Sequence, residues 1–466
     1  MAERQRDFLS DLLQALAVRS RKLLRLQPNG SLDLSAEALA EALLSTRGEA
    51  SGVALAGALL DRWKSTGENE RLGWFLHLAR DLGPDPEGLG RALALWHEDA
   101  SPAHASLLHH AAEPRRQELL RRMNMAPGGT ATLVKMRAAL LAAMKQNAEL
   151  VPVDADFEHL FASWFNRGFL VLKRIDWSSP ADMLEKIIRY EAVHEIRGWD
   201  DLKGRLKPAD RRCFAFIHPQ MPDEPLVFVE VALTRGIPAR IATLIDAGRE
   251  PIGESEADTA VFYSISSTQD GLRGVSFGNF LIKQVVEDLL RELPQLKCFV
   301  TLSPVPGLAA WLRSQREEPS AARIEPRIFE LLNQPGWQET EETHNTVKPL
   351  LEDAAAHYLI EVKGANGKPL DAVARFHLNN GAMLERINFC GDTSPKGMGQ
   401  SHGIMVNYLY DLDAIERNHE AYANAGQVTA SLQVRRMMGH DEQGSLSRGW
   451  QALLPPRNNN KKSSAG

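Results

Sequence analysis

The chain reads as an all-helical bundle followed by an α/β catalytic domain, and three observations carry that reading. Up to about residue 150, apolar residues recur at three- and four-residue spacing with no strand-like run. After Trp164 short apolar strand-like runs alternate with helical segments. The length of 466 residues also exceeds what one hydrophobic core supports, so at least two domains are needed. The expected boundaries are 1–165 for the helical bundle, an oligomerisation domain, and 166–455 for the catalytic domain. Residues 456–466 (PRNNNKKSSAG) form a polar, disordered tail in this reading.

In the helical part, Phe8, Leu12 and Leu16 repeat on one face. Ser35 is a suitable N-cap for the next helix, where Leu39 and Leu43 share a face before Gly48 stops it. Further helices are expected around 59–63, 72–82 and 89–96. Pro127-Gly128-Gly129 breaks the pattern, and Thr130 is expected to cap a helix presenting Leu133, Met136, Leu140 and Met144 to a bundle core. The cluster Arg115, Arg116, Arg121 and Arg122 reads as a solvated helix face.

In the second part, Pro180 starts a helix that runs to about residue 190. Strands are expected at 213–217, 226–233, 260–266, 299–303, 373–378 and 384–389, with helices at about 279–292, 325–333 and 345–360. The run LVFVEVAL is apolar on both faces except at Glu230, the pattern of a central strand covered on both sides.

Composition narrows the function. Apolar content of 44% and charged content of 24% are those of a globular protein. A net charge of −6 argues against a general nucleic-acid binder. The three cysteines, Cys213, Cys298 and Cys390, sit in apolar runs and suit core packing, with neither a disulfide framework nor metal-ligand spacing. No apolar run approaches the ~20 residues that cross a bilayer. The first residues are amphipathic and basic like a mitochondrial presequence, but Glu3, Asp7 and Asp11 oppose that reading. The final Ser-Ser-Ala-Gly is no peroxisomal address, so a cytoplasmic enzyme is expected.

Three constellations can carry chemistry. FYSISSTQDGLRGVSFGNFLIKQVV reads as a strand, a glycine-bearing loop and a helix opening at that loop. Backbone N–H groups there suit a diphosphate, although the loop is neither a Walker loop nor a dinucleotide fingerprint. A second strand ends in Leu302-Ser303-Pro304-Val305-Pro306-Gly307, where Pro304 cannot continue the ladder and leaves Ser303 at the strand's end. In the third, Ala374-Arg375-Phe376-His377-Leu378, strand alternation puts Phe376 and Leu378 in the core and Arg375 and His377 on the opposite face. His218, beside Pro219, is the rival histidine and reads as structural. No Gly-x-Ser-x-Gly elbow supports a hydrolase triad.

These stretches resemble the malonyl-CoA decarboxylase family over nearly the whole chain. The resemblance rests on His218-Pro219, EPLVFVEVALT, FYSISSTQDGLRGV, GNFLIKQVV, TLSPVPG, VARFHLNNGAMLERINF and GIMVNYLYDL. It implies a catalytic domain of the acyl-CoA acetyltransferase (GNAT) superfold, with the CoA diphosphate on Arg273, Gly274, Val275, Ser276, Phe277, Gly278 and Asn279. It further implies Ser303 as the residue that binds the malonyl carboxylate and accepts a proton, and His377 as proton donor to the enolate. Tyr410 would stand near the reacting group. Many relatives carry glutamate where this chain has Ser276. Malonyl-CoA would be the substrate and a homotetramer the assembly, with no membrane or nucleic-acid partner. No cofactor is expected, because the thioester is itself the electron sink. An acyl-CoA-dependent acyltransferase and a non-catalytic acyl-CoA sensor remain as alternatives.

Overall fold

The computed structural model describes residues 34–45, 48–275, 281–317, 324–334, 336–339, 341–365 and 367–438. The Phe8/Leu12/Leu16 face, the loop residues Ser276, Phe277, Gly278 and Asn279, and the 456–466 tail lie outside these residues. The architecture is a helical N-terminal region followed by an α/β region on a mixed sheet, as the sequence predicts.

Between Ala36 and Trp164 the described residues form helices at Ala36–Ser45, Glu49–Ser65, Glu68–Arg80, Pro86–Glu98, Pro102–Ala112, Arg115–Asn124, Gly129–Met144 and Val151–Trp164. The Ser35 hydroxyl caps the first by accepting from the Ala38 N–H at 3.2 Å, and Leu39 and Leu43 are buried. Asp85 and Ser101 cap two others, each followed by proline at the first helical position. Thr130 is not a cap. The helix begins at Gly129 after Gly128 at φ 71°, and the Thr130 hydroxyl donates to Asn124 instead. Nor is the arginine cluster a solvated face throughout. Arg116 is buried and its Nε meets Asp156 at 2.5 Å, because the Arg115–Asn124 helix turns that side into the bundle with Leu119, Leu120 and Met123.

The strands are β1 (Val171–Ile175), β2 (Arg211–Ile217), β3 (Pro225–Thr234), β4 (Thr259–Ser267), β5 (Cys298–Thr301), β6 (Ser303–Pro304), β7 (Met383–Asn388) and β8 (Met405–Leu409). Their order is β1-β2-β3-β4-β5-β8-β6, with β7 pairing on β8. β3 is the central apolar strand expected, and its buried Glu230 meets Arg205 at 3.1 Å. β4 and β5 are parallel from Thr259↔Cys298 to Phe262↔Thr301, after which β4 runs on to Ser267. The Leu281–Glu292 helix lies between them in sequence, which makes a strand–helix–strand unit.

The chain divides into two compact units. The first holds the N-terminal helices through Lys207 with Arg212–Glu230 and Ser264–Asp288, and its apolar core includes Ile175, Ile187, Leu202, Ala215 and Phe228. The second holds Pro208–Arg211, Val231–Tyr263 and the chain from Leu289 onward, with Ala232, Leu244, Val261, Val300 and Met405 in its core.

One expected strand is a helix. Residues 373–378 belong to Ala372–Asn379, because the Asp371 carboxylate accepts from the Ala374 N–H at 2.9 Å and starts a helical turn. Alternation therefore fails there. Phe376, expected in the core, is 37% exposed, whereas His377, expected opposite it, is buried. Ala374, His377 and Leu378 share the buried face at helical spacing. The expected 299–303 strand also ends early, at Thr301, and Ser303–Pro304 pairs separately with β8.

Candidate active site

The second unit brings Ser303, His377 and Tyr410 together. Ser303 lies opposite Val406 of β8, just past the end of β5. The Asp371-capped helix delivers His377 in its last turn. Gly381 closes the following turn at φ 79°, where a Cβ would run into the Ile415 carbonyl. Tyr410 follows β8 and stays in register through its N–H to the Phe299 carbonyl at 2.9 Å.

The three side chains form a hydrogen-bonded chain. Ser303 Oγ stands 3.1 Å from His377 Nε2, and the Tyr410 hydroxyl 2.8 Å from Nδ1. The Ser303 hydroxyl donates to Thr301 Oγ1 at 2.9 Å, which leaves its oxygen to accept from Nε2–H. Nδ1 is then the acceptor for the Tyr410 hydroxyl. Thr301 Oγ1 also accepts from the Tyr408 N–H at 3.1 Å. The Tyr408 ring stacks on the imidazole, with centroids 4.7 Å apart and planes at 25°. Tyr408 and Tyr410 are two residues apart, so both side chains project toward His377, one ring against the imidazole face and the other's hydroxyl at its edge.

Burial sets the protonation. His377 is 3% exposed, and desolvation pulls its imidazole down to about 3, so the ring is neutral around pH 7. The same burial pushes the Tyr410 and Tyr408 phenols up, and Tyr410 keeps the proton it donates. Asp371 is raised by desolvation as well, and its Oδ2 makes no hydrogen bond among the described residues.

A second layer fixes β5 to β8. The Asn407 amide donates to the Thr301 carbonyl at 2.7 Å, while its oxygen accepts from Asn388 at 2.8 Å and from Arg386 Nε at 3.1 Å. The serine–histidine geometry is thus held by backbone pairing and by side-chain amides.

The other expected set belongs to the first unit, where Arg273, Gly274 and Val275 are described. Arg273 is exposed and 3.4 Å from Asp270, Gly274 takes φ 83°, and Val275 is buried. His218 is a structural histidine. Its Nδ1 accepts from the Gln220 N–H at 3.1 Å, which makes Nε2 the donor to the Trp164 carbonyl at 3.1 Å, and burial lowers its pKa.

Comparison with known proteins gives the chain its family. The sequence profile for the malonyl-CoA decarboxylase C-terminal domain matches residues 168–448, and that for the N-terminal domain matches 82–165. Malonyl-CoA decarboxylase, mitochondrial, of Anser anser anser is 35% identical over 403 residues, covering 79% of this chain and 80% of that protein. The Mus musculus protein of the same name is 35% identical over 365 residues, covering 72% and 74%. The crystal structure of malonyl-CoA decarboxylase from Rhodopseudomonas palustris superposes with a TM-score of 0.82 at 56% identity, covering 86% of this chain and 100% of that one. That from Agrobacterium vitis gives 0.83 at 55%, covering 87% and 100%. The chain belongs to the malonyl-CoA decarboxylase family.

Sequence reasoning missed Thr301, Tyr408 and Asp371 in this member of the family. Thr301 and Tyr408 each sit two residues before a named site residue, so the period of a strand points to both. Asp371 three residues before Ala374 is an N-cap signal, hidden once 373–378 is read as a strand.

Proposed function

We propose that this chain decarboxylates malonyl-CoA to acetyl-CoA and CO₂, using Ser303 and His377. The observation that carries the reading is the buried chain Tyr410–His377–Ser303–Thr301 in a member of this family.

The substrate carboxylate hydrogen-bonds the Ser303 hydroxyl, which turns from Thr301 toward it while its oxygen keeps the bond from His377 Nε2–H. A negative charge beside the imidazole favours the imidazolium, so His377 gains a proton at Nδ1 as substrate binds, and the Tyr410 hydroxyl turns to accept from Nδ1–H. When the C–C bond breaks, its electron pair passes to the α-carbon and the thioester oxygen, and neutral CO₂ leaves. His377 gives its Nε2 proton to the α-carbon and returns to a neutral ring, the state that burial prefers, with the remaining proton on Nδ1. One proton is consumed per turnover. Ser303 thus acts as acceptor toward Nε2–H and as donor toward the carboxylate. Tyr410 holds Nδ1 and fixes the ring. The electron sink is the thioester, so this sequence of steps calls for no cofactor.

The Arg273–Asn279 loop, at the head of the Leu281–Glu292 helix, is the proposed cradle of the CoA diphosphate. Association with further copies of the chain is supported by the Pro86–Glu98 and Pro102–Ala112 helices. They bury only Ala92 and leave Leu93, Leu95 and Leu107 exposed.

The purified protein incubated with malonyl-CoA alone tests the reading. Acetyl-CoA and CO₂ in equal amounts, with no acceptor present, are expected. An acyltransferase would leave malonyl-CoA intact until an amine is added, and a sensor would bind it without product.

A further inference from the structure

The Gly129–Met144 helix carries an arginine that nothing in the proposed chemistry uses. Arg137 is only 2% exposed, yet its guanidinium is well satisfied. Its Nε and one terminal nitrogen meet the two oxygens of Asp154 at 2.8 and 3.4 Å. The other terminal nitrogen donates to the Gly271 carbonyl at 3.1 Å and to the Arg273 carbonyl at 2.8 Å. Both carbonyls belong to the segment that opens the proposed diphosphate loop. One turn earlier on the same helix, the Val134 carbonyl packs so closely on Gly271 that no Cβ fits between them. Leu272 and Val275 are buried in the same segment.

We infer that Arg137 is a positioning residue for substrate binding, acting by orienting the peptide groups from which the diphosphate loop springs. A trans peptide points its C=O and N–H in opposite directions. Holding the Arg273 carbonyl against the helix therefore turns the Gly274 N–H away from it, at a residue whose φ of 83° favours glycine. Asp154 fixes the guanidinium plane, and the planar fork serves two carbonyls and one carboxylate at once. A lysine has the charge but not the fork. The inference rests on the reading of residues 273–279 as the diphosphate cradle.

The test compares malonyl-CoA with malonyl-pantetheine, which has the same reacting end and no diphosphate, in wild type, Arg137→Lys and Arg137→Ala. For Arg137→Lys, KM for malonyl-CoA should rise about tenfold, the scale of one lost charge-assisted hydrogen bond. Its kcat should stay within about twofold, and kcat/KM for malonyl-pantetheine should be unchanged. Arg137→Ala should exaggerate the same split, and if it fails to fold the lysine variant carries the test. Equal losses on both thioesters, or no loss on either, would overturn the assignment. A wild type that treats the two thioesters alike would overturn it by removing the diphosphate cradle itself. Calorimetric titration with CoA and with pantetheine gives the same comparison without turnover, so it separates the loop's role from the reaction assignment.

Discussion

Binding of a carboxylate beside Ser303 should load a proton onto His377, and its size can be worked from the geometry. In the ligand-free protein burial holds the imidazole at about 3. A carboxylate on Ser303 lies one hydrogen bond beyond an atom 3.1 Å from Nε2, which brings the two charges within ~4–5 Å. At an effective dielectric of ~20 that attraction is about 4 kcal/mol, roughly a thousandfold in proton affinity. From a starting point of about 3, His377 then titrates near pH ~6 and is protonated in a useful fraction of complexes near neutrality. A malonyl-CoA analogue with a thioether in place of the thioester keeps the carboxylate but has no electron sink. Titrating it calorimetrically at pH ~6, in buffers of different ionisation enthalpy, counts the protons taken up. Uptake should be about half a proton or more per site, should be absent with an acetyl-CoA thioether analogue, and should vanish in His377→Asn. Equal uptake with both ligands, or uptake that survives in His377→Asn, would refute the reasoning.

Three further outcomes follow from the same contacts. Tyr410→Phe leaves His377 Nδ1 buried without its donor, a loss of about 1–3 kcal/mol, so steady-state kinetics should give a kcat lowered by about 10- to 100-fold with KM little changed. In the ligand-free protein the folded state keeps His377 neutral down to about 3, whereas the unfolded chain titrates near ~6.5 and binds the extra proton between those values. Stability present above pH ~6.5 is therefore lost as pH falls toward 3, and Tm measured against pH should fall less steeply for His377→Asn. Gly307→Ala should lower stability by about 1–3 kcal/mol in urea denaturation, since its Cβ would collide with the buried Tyr358 hydroxyl.

Much of the fold was legible because the strongest signals are local. The apolar runs of β2, β3 and β4 declare themselves as strands, and the i, i+4 stripes of the N-terminal region declare helices. β1 was missed because VLKRI is mostly exposed and has no apolar period. The helix at Ala372–Asn379 was misread because eight residues make little more than two turns, too few to separate a period of 3.6 from one of 2. A single capping carboxylate, Asp371, decides between them. The pairing of Ser303 with His377 spans 74 residues, and no spacing rule joins them. It was the family resemblance that did so. Burial of His377 was also beyond local reasoning, since it depends on Tyr408 and Tyr410 arriving from β8. An imidazole that titrates near neutrality by default is, in this pocket, a neutral ring that needs the substrate's charge to hold its proton.

The most direct measurement is turnover of malonyl-CoA alone, with acetyl-CoA and CO₂ both quantified, in wild type, Ser303→Ala and His377→Ala. Positioned acid catalysis is worth roughly 10²–10⁴-fold. The account predicts equimolar products from wild type, kcat lowered by at least that range in His377→Ala, and a large loss in Ser303→Ala, with CoA binding retained in both variants. Wild-type kcat in either variant would contradict it.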